Sequence, residues 1–261
     1  MRSLSVGGTG MMAQQLNVEV IANNLANMTT TGYQRRRPEF QDLLYQSQRR
    51  VGSSSSTEGT VVPAGVQLGL GVKTAAVYRI PEQGDLVNTE NSLDVAIQGE
   101  GYFIVELPDG ETAYTRSGNF QLSADGVMVT SDGYTVGPGI TVPENTIEIA
   151  INSEGTVTAK VDGRTDLVDL GQLELASFVN QAGLEAIGSN LLKETEASGP
   201  AFFGTPSSDG LGSTLQGYLE SSNVNPVQEI TALIAAQRAY DLNSKVISAS
   251  DEMLATVTQM S

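Results

Sequence analysis

Apolar residues recur every seven positions at the two ends of the chain and alternate over short runs between them. Near the N-terminus Leu4, Met11, Val18 and Leu25 mark one series, with Ile21 and Ala22 beside it. Near the C-terminus Leu233, Tyr240, Ile247 and Leu254 mark another, reinforced by Ile230, Val246, Met253, Val257 and Met260. A seven-residue repeat keeps an apolar stripe on one side of an α-helix and requires another helix to cover it. The two ends are therefore expected to pack together or against copies of themselves.

The first helix is expected over about Thr9 to Asn27, because Gly7, Gly8 and Gly10 weaken its opening by roughly 1 kcal/mol each relative to alanine. Asn27 to Gly32 is polar and ends the pattern. The last helix has a clear start: Asn225 suits the cap, Pro226 the first helical position, and Gln228 the residue that reaches back. Run to Met260, it is about 50 Å long, well beyond the usual globular helix, and that length implies an assembly role.

Between the helices the pattern changes period. Asp109-Gly110, Asp125-Gly126, Asp132-Gly133 and Asp162-Gly163 are turn dipeptides separating runs such as Tyr102 to Leu107 and Val127 to Thr130. From Val66 to about Gly217 this predicts a meandering antiparallel β domain. Tyr33-Gln34-Arg35-Arg36-Arg37-Pro38, followed by Phe40, Leu43, Leu44 and Tyr45, reads as a short apolar contact flanked by charge. Val51 to Thr60 is Ser-rich and reads as an extended loop or hairpin tip. The expected fold is α+β. Residues 1–30 are the N-terminal helix, 31–70 an extended hairpin or linker, 71–217 the β-rich domain and 218–261 the C-terminal helix, the two helices forming a coiled-coil-like domain.

Composition narrows the function. The net charge is -16, and the acid sits mostly in the middle of the chain, leaving both ends close to neutral and able to approach other chains. Nucleic acid is excluded as a partner, because phosphate neutralisation needs a basic face. The chain contains no Cys, His or Trp, which removes thiolate and imidazole nucleophiles, bases and metal ligands. No segment approaches the length of a transmembrane span, and the N-terminus lacks the apolar core of a secretory signal.

The remaining chemistry is sparse, and no catalytic, cofactor-binding or metal-binding residue is assigned. Gly69-Leu70-Gly71 and Gly99-Glu100-Gly101 do not lead into a capped helix, so they read as close backbone approaches rather than phosphate loops. Asp162, Asp166 and Asp169 lack the ligand ladder of a calcium loop and read as a solvated hairpin. Paired carboxylates of a carbohydrate-active enzyme need no His and stay open as a competing reading, decided by whether two of them converge in a pocket. Arg35, Arg36 and Arg37, with Arg49 and Arg50, form the basic concentration that suits an acidic neighbouring copy. Asn17, Asn23, Asn24 and Asn27 are poor helix formers in a helical stretch, and they read as hydrogen-bonding residues between packed helices.

Several of these segments together resemble a known family. Ala22-Asn23-Asn24-Leu25-Ala26-Asn27 followed by Thr31-Gly32-Tyr33 is similar to the N-terminal signature of the bacterial flagellar rod and hook proteins. Tyr218 to Asn225, Gln237 to Lys245 and Asp251 to Leu254 are similar to its C-terminal signature. Asp94 to Phe103 and Tyr114 to Phe120 match the middle, so the resemblance spans essentially the whole chain.

Length and Phe40-Gln41-Asp42-Leu43-Leu44-Tyr45-Gln46 point within the family to the distal rod. The resemblance implies a structural, non-enzymatic subunit of a helical homopolymer that crosses the periplasm and outer membrane. Export would run through the flagellar type III apparatus without a cleavable signal. The implied neighbours are other copies of the chain, the proximal rod proteins, the hook protein and the P-ring and L-ring proteins. Within that setting Met11, Val18, Ile21, Asn23, Asn24, Leu25, Asn27, Leu233, Gln237, Tyr240, Asn243, Ile247, Leu254 and Val257 are expected at subunit interfaces. Arg35, Arg36, Arg37, Phe40, Leu43, Leu44 and Tyr45 are expected to brace neighbouring subunits.

Overall fold

A computed structural model describes residues 2–49, 65–163, 166–208 and 210–259. The Ser-rich stretch at 51–60, Arg50, Met260 and the side chains of Arg49 and Val257 lie outside the described residues. The chain divides into two compact units: Met1–Leu25, Arg36–Tyr78 and Asn225–Ser261 make one, Ala26–Arg35 and Arg79–Val224 the other.

The first unit is built on two long helices. Helix α1 spans Arg2–Ala26 and α2 spans Pro226–Gln259. Asn225 caps α2 as expected, its Oδ1 accepting from the amides of Val227 at 3.1 Å and Gln228 at 3.3 Å. Helix α1 begins seven residues before the expected Thr9, and its glycines supply the reason. A Cβ on Gly7 would lie 2.9 Å from Ile247 Cγ1, and one on Gly10 2.9 Å from Asn243 Nδ2. The missing side chains let α2 come close, and that packing offsets the poor helix propensity. Along α2 the hydroxyls of Thr231, Ser248, Ser250 and Thr258 each donate to the carbonyl four residues back.

Four strands complete this unit. Arg36–Asp42 pairs with Val72–Arg79, and Tyr45–Arg49 pairs antiparallel with Val66–Gly69. The first of these was not expected from sequence, since it carries an arginine run and Pro38. It alternates nonetheless: Arg36, Pro38 and Phe40 are half-buried, whereas Arg37, Glu39 and Gln41 are exposed. In a two-stranded ribbon Pro38 has an open edge on which its missing N–H is tolerated. Gly71 follows the expected close-approach reading, since a Cβ there would meet the Thr9 hydroxyl of α1 at 2.2 Å.

The second unit is mainly β, with one 3-10 turn at Gln181–Gly183, and its described strand pairs are antiparallel. A nine-stranded sheet runs through Glu185–Gly188, Leu191–Lys193, Thr112–Thr115, Tyr102–Glu106, Thr135–Val136, Met128–Val129 and Gln121–Leu122, with Leu175–Ser177 joining Phe202–Gly204 to Tyr102–Glu106. Thr146–Ile151, Thr156–Val161 and Val168–Gln172 form a three-stranded sheet. The four Asp-Gly turns fall between strands, each glycine at positive φ.

Alternation along Tyr102–Glu106 places side chains in cores on both faces of the sheet. Phe103 packs with Val95, Ile97, Phe120, Met128 and Leu175, its ring edge-on to Phe120 at 5.0 Å. Tyr102 and Ile104 pack with Tyr114, Phe178, Leu184 and Leu192 on the opposite face.

One ion pair is buried among these strands. Arg116 Nε and Nη2 both lie 2.8 Å from Glu220 Oε2, and the two side chains are 6% and 3% exposed. Arg116 Nη1 donates to the carbonyls of Gly99 and Gly101 at 2.8 and 2.7 Å, and Glu220 Oε1 accepts the amide of Gly84 at 3.1 Å. The Glu220 carbonyl in turn accepts Gly32 N–H at 2.8 Å. Gly32 has φ of 67°, and a Cβ there would lie 2.8 Å from the Arg116 backbone, so Thr31-Gly32-Tyr33 lies directly on Arg116-Ser117.

Two expectations follow. Glu220→Ala leaves a buried guanidinium uncompensated and should lower the stability of the β unit by about 3–5 kcal/mol in denaturant melts, and Arg116→Lys should fail to preserve it because one ammonium cannot reproduce the forked contacts. Burial raises the phenols of Tyr102 and Tyr114 above the ordinary value of 10.0. Their stabilising effect is therefore complete below about pH 10 and declines as pH rises through the raised values. Thermal melts between pH 8 and 11 should show this loss, and Tyr102→Phe should reduce it.

Candidate assembly surface

The three points at which α1 meets α2 define an antiparallel line. Gly7 meets Ile247, Gly10 meets Asn243, and Asn24 Nδ2 donates to Glu229 Oε2 at 3.2 Å. Along α1 the same line passes through Gln14, Asn17 and Ile21. On α2 the covered positions are Glu229, Leu233, Ala236, Ala239, Asn243, Ile247, Ser250 and Leu254, spaced by three and four. The close contacts thus set small and polar residues of α1, Gly7, Gly10 and Asn24, against Ile247, Asn243 and Glu229 of α2. Met11, Val18 and Leu25 stand one residue to the side of this line and are half-buried, with Ile21 fully buried on it.

Asn24 is 1% exposed and fully used. Its Oδ1 accepts the amide of Arg36 at 2.9 Å, and its Nδ2 donates to the Arg36 carbonyl at 2.9 Å as well as to Glu229. One side chain therefore joins the end of α1, the start of the strand at Arg36 and the first turn of α2. The other asparagines differ. Asn23 lies on the exposed face of α1, and Asn27, past the helix, accepts the Thr30 hydroxyl at 3.2 Å to close a turn.

The remaining expected interface residues are distributed along α2. Leu233, Asn243, Ile247 and Leu254 are half-buried and turned into the covered face, whereas Gln237 and Tyr240 are exposed. A second set of apolar side chains lies outside that face. Val227, Ile230, Ile234, Leu242, Val246 and Met253 are all exposed, Val246 by 50% and Met253 by 61%. With Met12 on α1, they give the helices apolar flanks that no described part of the chain covers. Ile230, Val246 and Met253, which the heptad pattern places beside the seam, are among these exposed residues. The glycines at 7 and 10, three apart in an otherwise helical pattern, mark where the two helices come closest.

The expected bracing residues separate in the same way. Arg35 is spent within the chain, its Nη2 on Glu82 at 3.1 Å. Arg36 is half-buried, Arg37 exposed, and Phe40 and Leu43 half-buried. Leu44, 83% exposed, and Tyr45 project from the turn between the first two strands. The Tyr45 phenol is raised above 10.0 by its hydrogen bond to Asp42.

Nothing in the described residues favours an enzyme. A groove of about 380 Å³ in the β unit carries Glu144 and Glu148, but both carboxylates are exposed and lack the apolar enclosure a glycosidic acid requires. No helix among the described residues is long and apolar enough to cross a membrane.

Comparison with known proteins agrees with this picture. Residues 4–34 match the flagella basal body rod protein model, 96–159 the flagellar hook protein FlgE/F/G D1 domain, and 215–260 the flagellar basal body rod FlgEFG protein C-terminal model. The chain is 56% identical to the flagellar basal-body rod protein FlgG of Caulobacter vibrioides over 260 residues, covering 100% of this chain and 99% of that protein. It is 49% identical to FlgG of Borreliella burgdorferi, covering 97% and 96%, and 39% identical to FlgG of Bacillus subtilis, covering 97% of each. With three family models in order and identity sustained along the full length, the chain belongs to the flagellar basal-body rod proteins, a family of structural subunits.

Proposed function

We propose that this chain polymerises into the distal rod of the flagellar basal body, a drive shaft that carries torque from motor to hook and encloses the export channel. The observation that carries this reading is the exposed apolar flank of α2. Leu242, Val246 and Met253, uncovered along one side of an already occupied seam, are a surface for further helices, and a surface of that kind marks a protein interface. The α1–α2 pair then serves as a coiled-coil-like unit of an inner tube, and the acidic β unit faces outward. Contacts between unlike surfaces that do not close into a ring generate a helical array. Rod proteins of the proximal segment, the hook and the P and L rings are the neighbours this position implies, with the shaft crossing the periplasm and outer membrane. The strands Arg36–Asp42 and Tyr45–Arg49 brace adjoining copies through Leu44, between them, and Tyr45, at the start of the second, and the subunit arrives through the type III export apparatus.

Polymerisation separates the two apolar sets. Met253→Asp or Val246→Asp should abolish filament formation, scored by electron microscopy and sedimentation, while changing monomer stability by no more than about 0.5 kcal/mol, because both sites are exposed in the single chain. Filaments of normal length from both variants would remove the support for this interface. The same reading sets an expectation for amide exchange. In the dilute chain, α2 should exchange faster than the core strand Tyr102–Glu106, and it should gain strong protection on assembly.

A further inference from the structure

Within the helical unit, α1 and the strand Val72–Arg79 leave a gap between them. Thr9, Met12 and Ala13 of the helix, Leu43 after the first strand, and Val72, Lys73 and Thr74 line an open groove of about 270 Å³. Its walls are fixed by backbone bonds. The Thr9 hydroxyl donates to the Val6 carbonyl at 3.0 Å and accepts Val72 N–H at 3.3 Å, and Leu43 N–H donates to the Gly71 carbonyl at 2.8 Å. Ala13, the buried member of the lining, offers only a methyl group, while Met12 is 73% exposed. The groove lies below the roughly 300–1,000 Å³ of ligand pockets and suits an inserted side chain. Lys73 is the one charge in the lining; it is exposed and makes no ion pair among the described residues.

The same unit carries a projection of the opposite sign. Leu43 takes its place in the groove, whereas Leu44, next in the chain, is exposed and absent from the lining. Leu44 stands between Asp42 and Tyr45, whose phenol is hydrogen-bonded to Asp42.

We infer that the groove is a socket for the Leu44 side chain of a second copy, with Asp42 of the entering turn meeting Lys73 at the rim. The socket rests on the polymerisation reading and supplies it with a receiving surface for the brace. Insertion takes Leu44 and Met12 out of water together, and the opposite charges select the partner's orientation. The exposed row of α2 is a poorer occupant, because a helix presents its side chains on a cylinder about 10–12 Å across, whereas a side chain on a turn can drop into a short groove. Knob and socket are different surfaces of one chain, so their contact repeats from copy to copy without closing on itself.

The chain contains no cysteine, so single cysteines report without background. Leu44→Cys and Thr74→Cys chains, mixed in equal amounts, assembled and treated with a short dimaleimide, should give a covalently linked pair of chains on denaturing gels. Either variant assembled alone should give none, and neither should the mixture kept dilute. Lys73→Glu should raise the critical concentration for assembly by roughly threefold or more, and adding Asp42→Lys to it should bring the value back. Normal filaments from the mixture without the linked pair, or an equal yield from Leu44→Cys alone, would overturn the socket and leave polymerisation standing. So would a double charge exchange that assembles no better than Lys73→Glu. Absence of filaments from the unaltered chain would remove both readings.

Discussion

The buried Arg116–Glu220 pair is the constraint on which the rest of the β unit depends. Desolvating two charges is costly, and Coulomb attraction alone does not compensate. Here the guanidinium also satisfies two glycine carbonyls and the carboxylate a glycine amide. Those partners lie in two segments, and Gly32 N–H bonds the Glu220 backbone carbonyl, so the pair and its backbone fix where the loops at Gly84, Gly99 to Gly101 and Gly32 lie. The Tyr102 ring under the guanidinium, 5.9 Å from its carbon, ties the same node to the core. The Glu220 carbonyl, bonded to Gly32 N–H, holds Thr31-Gly32-Tyr33 against the same centre.

The parts of the fold governed by local rules were legible in the sequence. Asn225-Pro226 starts a helix because the cap and the missing N–H act within a single turn, and the Asp-Gly turns act within four residues. What escaped depends on distant partners. The glycines of the first helix argue for disorder until α2 is placed beside them, and the Arg36–Asp42 strand looks like a charged linker until Val72–Arg79 pairs with it. Arg116 and Glu220 both lie in segments that the family resemblance singled out. No spacing rule links residue 116 to 220, however, so their shared node had to be seen in three dimensions. In α1 the heptad residues Met11, Val18 and Leu25 stand one position beside the line of contact, whereas Leu233, Ile247 and Leu254 of α2 lie on the covered face, because apolar residues mark a stripe without telling its centre from its flank.

That offset separates two jobs within the helices. Close approach along Gly7, Gly10 and Asn243 is made by small and polar groups, which define the distance and register of the pair. The larger apolar groups stand to the sides, Met11 and Val18 half-covered, Val246 and Met253 open. An arrangement of this type leaves most hydrophobic driving force for association between chains, and lets geometry within the chain rest on hydrogen bonds.

The serine and threonine hydroxyls of α2 add a quieter consequence. Because Thr231, Ser248, Ser250 and Thr258 already give their protons to the helix's own carbonyls, none of them demands an acceptor from whatever lies alongside. Such a surface can be dehydrated against dissimilar surroundings at little polar cost. A helix finished in this manner accepts many kinds of company, which suits a building block whose first and last copies must meet strangers instead of siblings.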